Sequence, residues 1–415
     1  MAFGDSPNDK ALRESWYGFC EQMKLAGDRV FKDYNPRNSL QRADGFRFLT
    51  QALSQAFDLA LETKDSRYPM IHEFCSWNRK LGGDNADCVY LQAWIDGQSV
   101  YKIAGNKGSA RFMNFTVQGP RPEKDSYFGV DIPSLHEPFG DTPEANMFGH
   151  EMKCDWDGSF VLYIGGPKRE PNWLPTTPGS RKLFLRQCFD HWSEEPAQYR
   201  IERIDMNEPR PVPTHETLIE SMRWAGDYLT GAMRDWPDFM MAVGVGLDKE
   251  ENINRYPGSK FNAGAEQRDQ RRGRLTDWMR WRLKPDEALI VEFDNYDGFW
   301  MFTNLGVFWN SMDFLYRPVS YTPSRTVVDG DGKVRLIMTH ADPGYHNWID
   351  TQGFEEGYLQ FRNVLSRAVP PIDTKVLKTS DIAAYLPQDS RRVTADERAR
   401  QLHERFDAIR RRYRI

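Results

Sequence analysis

The sequence predicts a mainly β fold with added helices (α+β). It reads as two related β-sandwich or jelly-roll-like units with helical N-terminal, central and C-terminal segments. Three observations carry this. Short apolar runs are cut by Asp-Gly and Gly turns. One β pattern occurs twice. Helical periodicity with capping residues is confined to the two ends and the middle of the chain.

Taken in order, residues 1–70 form a helical segment. Asn38 with Gln41 three residues on resembles a capping box, and Phe46, Leu49, Leu53, Phe57 and Leu61 recur at helical spacing. Residues 71–205 form the first β unit. Its run Val89 to Ile95, then Asp96-Gly97, then Val100 to Ile103 has the pattern of a hairpin, and Asp157-Gly158 marks a second hairpin before Phe160 to Ile164. Further strands fall at 182–189 and 198–204. Pro209, Pro211 and Pro213 mark a boundary. Residues 206–284 then read as a helical insertion and loop, with Thr214 as N-cap and Leu218, Met222, Ala225, Leu229, Ala232 and Trp236 on one face. The basic stretch 268–284, with Trp278 and Trp281, reads as a helix with a basic face and a buried Trp pair. Residues 285–372 form the second β unit, with strands at 288–293, 299–303, 312–319, 333–339 and 357–364. Residues 373–415 are a helical tail. Thr394 and Glu397 form its capping box, and Leu402, Phe406, Ile409 and Tyr413 share a face. Its basic residues read as a solvated face that could also join subunits into a homo-oligomer.

The repeat ties the two units together. The first copy runs Asp157-Gly158, strand, Asn172-Trp173, Gly179, strand, Arg186. The second runs Asp331-Gly332, strand, Asn347-Trp348, Gly353, strand, Arg362. Corresponding intervals differ by a single residue. Features present in both copies read as structural: the Asn residues tie a loop to backbone and the Trp residues cover a sheet end. Features of one copy are better candidates for function.

Composition narrows the classes. Hydrophobic residues are 40% and charged residues 28%, as in a globular protein. No apolar run reaches the roughly 18 residues of a membrane span. The first residues lack a basic start followed by an apolar stretch, which predicts a cytoplasmic protein. Five cysteines without C-x-x-C argue against a disulfide framework and for a reducing compartment. The net charge of −5 and the absence of a nucleic-acid-binding motif argue against a nucleic-acid partner. P-loop, dinucleotide, zinc-protease and α/β-hydrolase motifs are also absent, so no organic cofactor is expected. The loop Gly82 to Asp87 reads as a turn held by Asx bonds.

Chemistry concentrates in the loop 339–351 of the second copy. It holds His340, Asp342, Tyr345, His346 and Asp350, whereas the matching stretch 165–171 has no His, Asp or Tyr. Asp342-Pro343-Gly344 is a turn former, so both imidazoles could face one cavity at the sheet end. A histidine held by Asp342 or Asp350 suits general acid or base work, and Tyr345 could donate to an oxyanion. Aromatic residues make up 13% of the chain. Those at 293–316, with Trp300, Phe302 and Trp309, are expected to line a substrate cleft together with Trp348, while Arg362 could neutralise a substrate anion.

Several of these stretches resemble the DUF1214 domain family, often found with DUF1254. They are Ala43 to Thr50, Gly83 to Tyr90, Ile95-Asp96-Gly97 leading to Tyr101 to Gly105, and above all Asp342 to Gly353. The family often has Asn-Pro-Asp where this chain has Asn85-Ala86-Asp87. The resemblance implies a jelly-roll-like C-terminal part and a bacterial accessory or catabolic protein, with no agreed activity. It points to a small apolar compound of steroid, terpenoid or aromatic class. The expectation is an enzyme using general acid/base chemistry on such a molecule, as a lyase, hydrolase or isomerase. The alternative is a jelly-roll module that binds a small molecule or carbohydrate without converting it. A metal-dependent jelly-roll enzyme comes third, because His340-x-Asp342 followed by His346 resembles the ligand spacing of some metalloenzymes. The set lacks a clear fourth ligand, so no metal ligand is assigned.

Overall fold

The computed structural model describes residues 6–120, 126–127, 130–131, 141–243, 247, 249–256, 274–364 and 369–415. Helices α1 (Pro7–Asp28), α2 (Ser39–Phe57), α3 (His215–Thr230) and α4 (Trp236–Val243) accompany the β units, and a C-terminal helix spans Ala395–Tyr413. The strands of the first unit are β1 (His72–Cys75), β2 (Cys88–Trp94), β3 (Tyr101–Asn106), β4 (Phe112–Gly119), β5 (Ser126–Tyr127), β6 (Val130–Asp131), β7 (Thr142–Phe148), β8 (Ser159–Ile164), β9 (Trp173–Leu174), β10 (Lys182–Cys188) and β11 (Gln198–Arg203). Those of the second are β12 (Arg274–Arg282), β13 (Glu287–Asp294), β14 (Phe299–Leu305), β15 (Ser320–Tyr321), β16 (Lys333–Thr339), β17 (Trp348–Asp350), β18 (Glu356–Val364) and β19 (Asp373–Lys378).

The sequence repeat is a repeat of topology. In the first unit an inner sheet runs β1-β2-β10-β4-β7 and an outer sheet runs β11-β3-β8-β9. In the second, the inner sheet is β12-β18-β14-β15 and the outer sheet, read in the same sense, is β19-β13-β16-β17. The short strands β9 and β17 each lie parallel to the strand before them. Turn chemistry is duplicated too. Gly158 and Gly332 both have φ +83°, and their amides donate to Asp155 O and Asp329 O. Asn172 accepts from Lys153 N and donates to Lys153 O and Val161 O; Asn347 does the same with Val327 N, Val327 O and Arg335 O. Trp173 and Trp348 donate to Gly165 O and Thr339 O.

Alternation along the strands stacks four layers. Phe115, Leu183 and Leu185 face the outer sheet of the first unit, whereas Tyr90, Phe184 and Cys188 face the second unit. On β14, Phe299 and Met301 face the first unit while Trp300 and Phe302 fill the second sandwich. The inner sheets thus pack against each other, with Cys88 Sγ 3.8 Å from Met301 Sδ, and helices α1–α3 close one flank. No described helix is long and apolar enough to cross a membrane.

Several expectations change. The chain between β2 and β3 crosses from inner to outer sheet, so Asp96-Gly97 turns a corner between layers. The described part of the basic stretch 268–284 is strand β12, not helix. Trp281 points into the sandwich core, while Arg280 pairs with Glu356 at 2.8 Å. Residues 312–319 form no strand; Asp313 closes a turn by accepting from Leu315 N. The buried face of α2 is Gln41, Gly45, Phe48, Ala52, Gln55 and Ala56, rotated from the expected stripe, and Phe46 is exposed. Cys88 and Cys188 stand opposite each other in register on β2 and β10 and form a disulfide, with Cα atoms 4.1 Å apart. Sequence spacing hid this pair because the strands that join it are far apart in the chain.

Candidate functional site

The loop 339–351 begins where β16 ends. Gly344 adopts φ +75°, and its amide donates to Asp342 Oδ1 at 2.9 Å, which turns the chain back toward β17. This geometry separates the expected catalytic residues. A carbonyl only accepts, so His340 Nε2 donates to Leu283 O at 3.2 Å while Nδ1 accepts from Thr351 Oγ1 at 2.7 Å. Both nitrogens of His340 are thereby engaged. Asp342 pairs with Arg398 at 2.8 Å and orients no histidine. Tyr345 packs against Ala288, Ile290, Ile337 and Ile382, under the Arg392 guanidinium. Asp350 is buried, accepts from Gln352 N, and pairs with Arg317 at 2.8 Å.

The expected substrate residues sit elsewhere again. Trp300 and Phe302 fill the second sandwich. Trp309 stacks on Tyr358 with ring centres 4.0 Å apart. Trp348 caps β16, with Arg398 over its ring. Arg362 bridges the two units, donating to Gly83 O at 2.6 Å and to the Tyr90 hydroxyl.

Tyr345 and His346 both line a small crevice beside Arg391, and His346 also lines a larger cleft. This larger cleft has a volume of about 290 Å³ and forms where three parts of the chain meet. The first unit contributes His191 and Trp192, just after β10. The second contributes Tyr321, Arg325 and His346. The C-terminal helix contributes Arg405.

Asp190 holds the first two parts together. Its carboxylate accepts from Ser324 N at 3.0 Å and pairs with Arg111, while its carbonyl accepts from Thr322, Ser324 and Arg325. Burial works against this carboxylate, but the surrounding donors outweigh it and hold its pKa below the usual range. Beneath the cleft, buried Asp87 pairs with Arg325 at 2.6 Å and with Arg412 at 3.7 Å. The guanidinium carbons of Arg325, Arg405 and Arg412 lie 4.1, 5.1 and 5.2 Å from the Trp192 ring centre. Burial pushes the pKa of both Arg405 and Arg412 down to about 10, so both stay charged at neutral pH.

The state of His346 follows from its neighbour. Asn347 Nδ2 donates to two carbonyls, so Oδ1 is an acceptor, and His346 Nδ1 carries the proton in their 3.1 Å bond. In the neutral ring this leaves Nε2 as the basic atom. Burial, with help from Arg391 and Arg398, lowers the His346 pKa below its ordinary value.

Two components of this site were missed in the sequence. Arg398, Arg405 and Arg412 recur every seven residues and lie buried on one face of the C-terminal helix. That spacing was visible, but a charge run reads as a solvated face. The loop Gly82 to Asp87 does contain its expected Asx turn, Asp87 N to Asn85 Oδ1 at 2.8 Å. It is also a junction: Gly83 bonds Trp309 and Gln360, and Asp84 accepts from Ser311. Among the described residues, no group of three or more His, Cys, Asp or Glu is arranged to hold a metal ion.

No protein-family model and no curated protein matches the chain. Among solved structures, an uncharacterised protein from Burkholderia cenocepacia is similar over 90% of this chain and all of its own, at 24% identity and a TM-score of 0.78. The likeness is one of fold. The VPA0106 protein of Vibrio parahaemolyticus aligns over 86% of this chain and all of its own, at 12% identity and a TM-score of 0.42.

Proposed function

We propose that the chain binds a small organic molecule in the cleft between Trp192, His346 and Arg405, and that His346 acts on it as a general base. The observation that carries this reading is the 3.1 Å contact of His346 Nδ1 with the acceptor Asn347 Oδ1, which assigns the proton to Nδ1 and leaves Nε2, on a residue of the cleft wall, as the basic atom. Trp192, Pro318, Val327 and Leu402 supply apolar wall for a ring or short chain; the rest of the lining is polar. The reaction class is proton abstraction by a lyase, hydrolase or isomerase, in a chain related on this reading to the DUF1214 family.

A second reading, binding without conversion, is favoured by one observation: the group that holds His346 is an amide, and His340 is engaged elsewhere. One experiment separates the two. A library of small acids, alcohols and aromatic compounds is screened by thermal shift, and each stabilising compound is followed by proton NMR with native protein and with His346→Gln. Conversion by native protein that falls at least ~100-fold in the variant, with binding kept, supports the base. Conversion unchanged in the variant removes it. Binding with no conversion leaves the second reading.

A further inference from the structure

We infer that the cleft recognises an oxyanion, a carboxylate or phosphate group of its ligand, and that Arg405 is the residue that takes it. This rests on the same cleft as the proposed function and names the class of ligand.

The argument is an account of donors. Arg405 is 4% exposed and lines the cleft. Its Nη1 donates to Ser320 Oγ at 3.2 Å and, at 3.5 Å, to Phe314 O; its Nη2 donates to Ser320 O at 2.8 Å. A guanidinium has five N–H donors. The two left over are Nε–H and one Nη2–H, which share one edge of the fork and match two oxygens of an oxyanion. No carboxylate among the described residues pairs with Arg405. Its charged neighbours are two further cations, Arg325 and Arg412, and the Asp87 carboxylate that those two share. Arg325 adds a buried Nη1 without a hydrogen-bond partner. Arg405 and Arg325 both line the cleft, so these donors lie on two cations of one wall.

The surrounding charges fit. Asp87 is shared between Arg325 and Arg412, and Asp190 is occupied by Arg111 and Ser324. Arg391 stands at the rim, 3.9 Å from Glu397, and exposed Glu404 is the one carboxylate of the described lining. The Trp192 ring, with three guanidiniums against it, lines the same cleft and gathers the cations there.

The test uses the full chain, with sodium benzoate and inorganic phosphate as probes, by calorimetry and thermal shift at low ionic strength. Native protein is expected to bind at least one probe at one site and to gain thermal stability with its concentration. Benzoate bound more tightly identifies a carboxylate ligand; phosphate bound more tightly identifies a phosphate ester. Arg405→Lys keeps the charge but loses the fork and should weaken binding about tenfold or more. Arg405→Gln should abolish binding. If Arg405→Gln does not fold, the Nε resonance of Arg405 in native protein, followed during the benzoate titration, gives the answer. No binding of either probe, or Arg405→Lys binding as tightly as native, overturns the inference. Neither result bears on His346 as a base. Loss of conversion without loss of anion binding supports that reading independently of this one.

Discussion

Asp87→Asn is expected to destabilise the protein by about 3–5 kcal/mol, the cost of removing one partner from a buried ion cluster. Asp87 is fully buried between two guanidiniums that are themselves buried. At an effective dielectric of about 20, the 2.6 Å pair with Arg325 attracts by roughly 6 kcal/mol and the 3.7 Å pair with Arg412 by roughly 4 to 5. In the native cluster this attraction largely offsets the desolvation of the three ions. In the variant Arg325 and Arg412 stay buried while their countercharge is gone, so the desolvation remains and the attraction does not. Urea unfolding followed by tryptophan fluorescence and far-UV circular dichroism should show a lower midpoint at an unchanged slope. The double variant Asp87→Asn with Arg412→Met should lose much less than the sum of the two single changes, because it removes one of the orphaned cations along with the anion. A single-variant loss below about 1 kcal/mol at unchanged slope would refute the reasoning, since it would mean the cluster is solvated.

Three further outcomes are expected. Thiol titration of denatured, unreduced protein should find three free cysteines out of five; five would show that Cys88 and Cys188 are not joined. With the bond reduced, stability should fall by up to about 4–5 kcal/mol, the chain-entropy value for a loop of about 100 residues. Long-range proton–nitrogen NMR should show His346 protonated at Nδ1 near neutral pH and titrating below the usual histidine range. Its depressed pKa means the unfolded chain takes the proton first, so its contribution to stability is present above about pH 6.5 and lost as pH falls through the folded-state value. An Nε2-protonated ring at neutral pH would contradict the assignment. Finally, Asn172→Ala and Asn347→Ala each leave three backbone groups unmatched and should each cost about 2–3 kcal/mol. A neutral effect at either position would break the equivalence of the two copies.

The duplicated architecture was legible because its signals are local. A glycine forced to positive φ, an asparagine that ties a loop, and a strand of alternating residues each leave a trace within a few positions. Helix ends at Thr394 and Asn38 were legible for the same reason. What failed depends on distant partners. Trp278 and Trp281 are three apart, which suits a helical face, yet the pairing of β12 with β18 decides the outcome and places Trp281 in a core. The aromatic cluster at 293–316 was read as a cleft wall. Two sandwiches packed back to back need three interiors, and Trp300, Phe302 and Phe293 fill one of them. The site was half legible. His346 stood out as a feature of one copy, but Arg405 and Arg412 arrive from the C-terminal helix, and Asp87 and Asp190 from the other unit.

The seven-residue ladder of Arg398, Arg405 and Arg412 also imposes an order of assembly. Its first rung grips the turn at Asp342, its second floors the cleft, and its third reaches Asp87 in the other unit. The helix that carries these rungs follows both β units in the chain. As the chain emerges during synthesis, the first sandwich can close its own interior beforehand, whereas the second, whose core takes Ile409 and Tyr413 from this helix, and the floor of the cleft both wait for the helix to dock. Completion of the cleft is therefore a late folding step. A ligand that bridges Arg405 and the two units would act as a clasp on that step, slowing release of the helix more than it slows unfolding of the first sandwich.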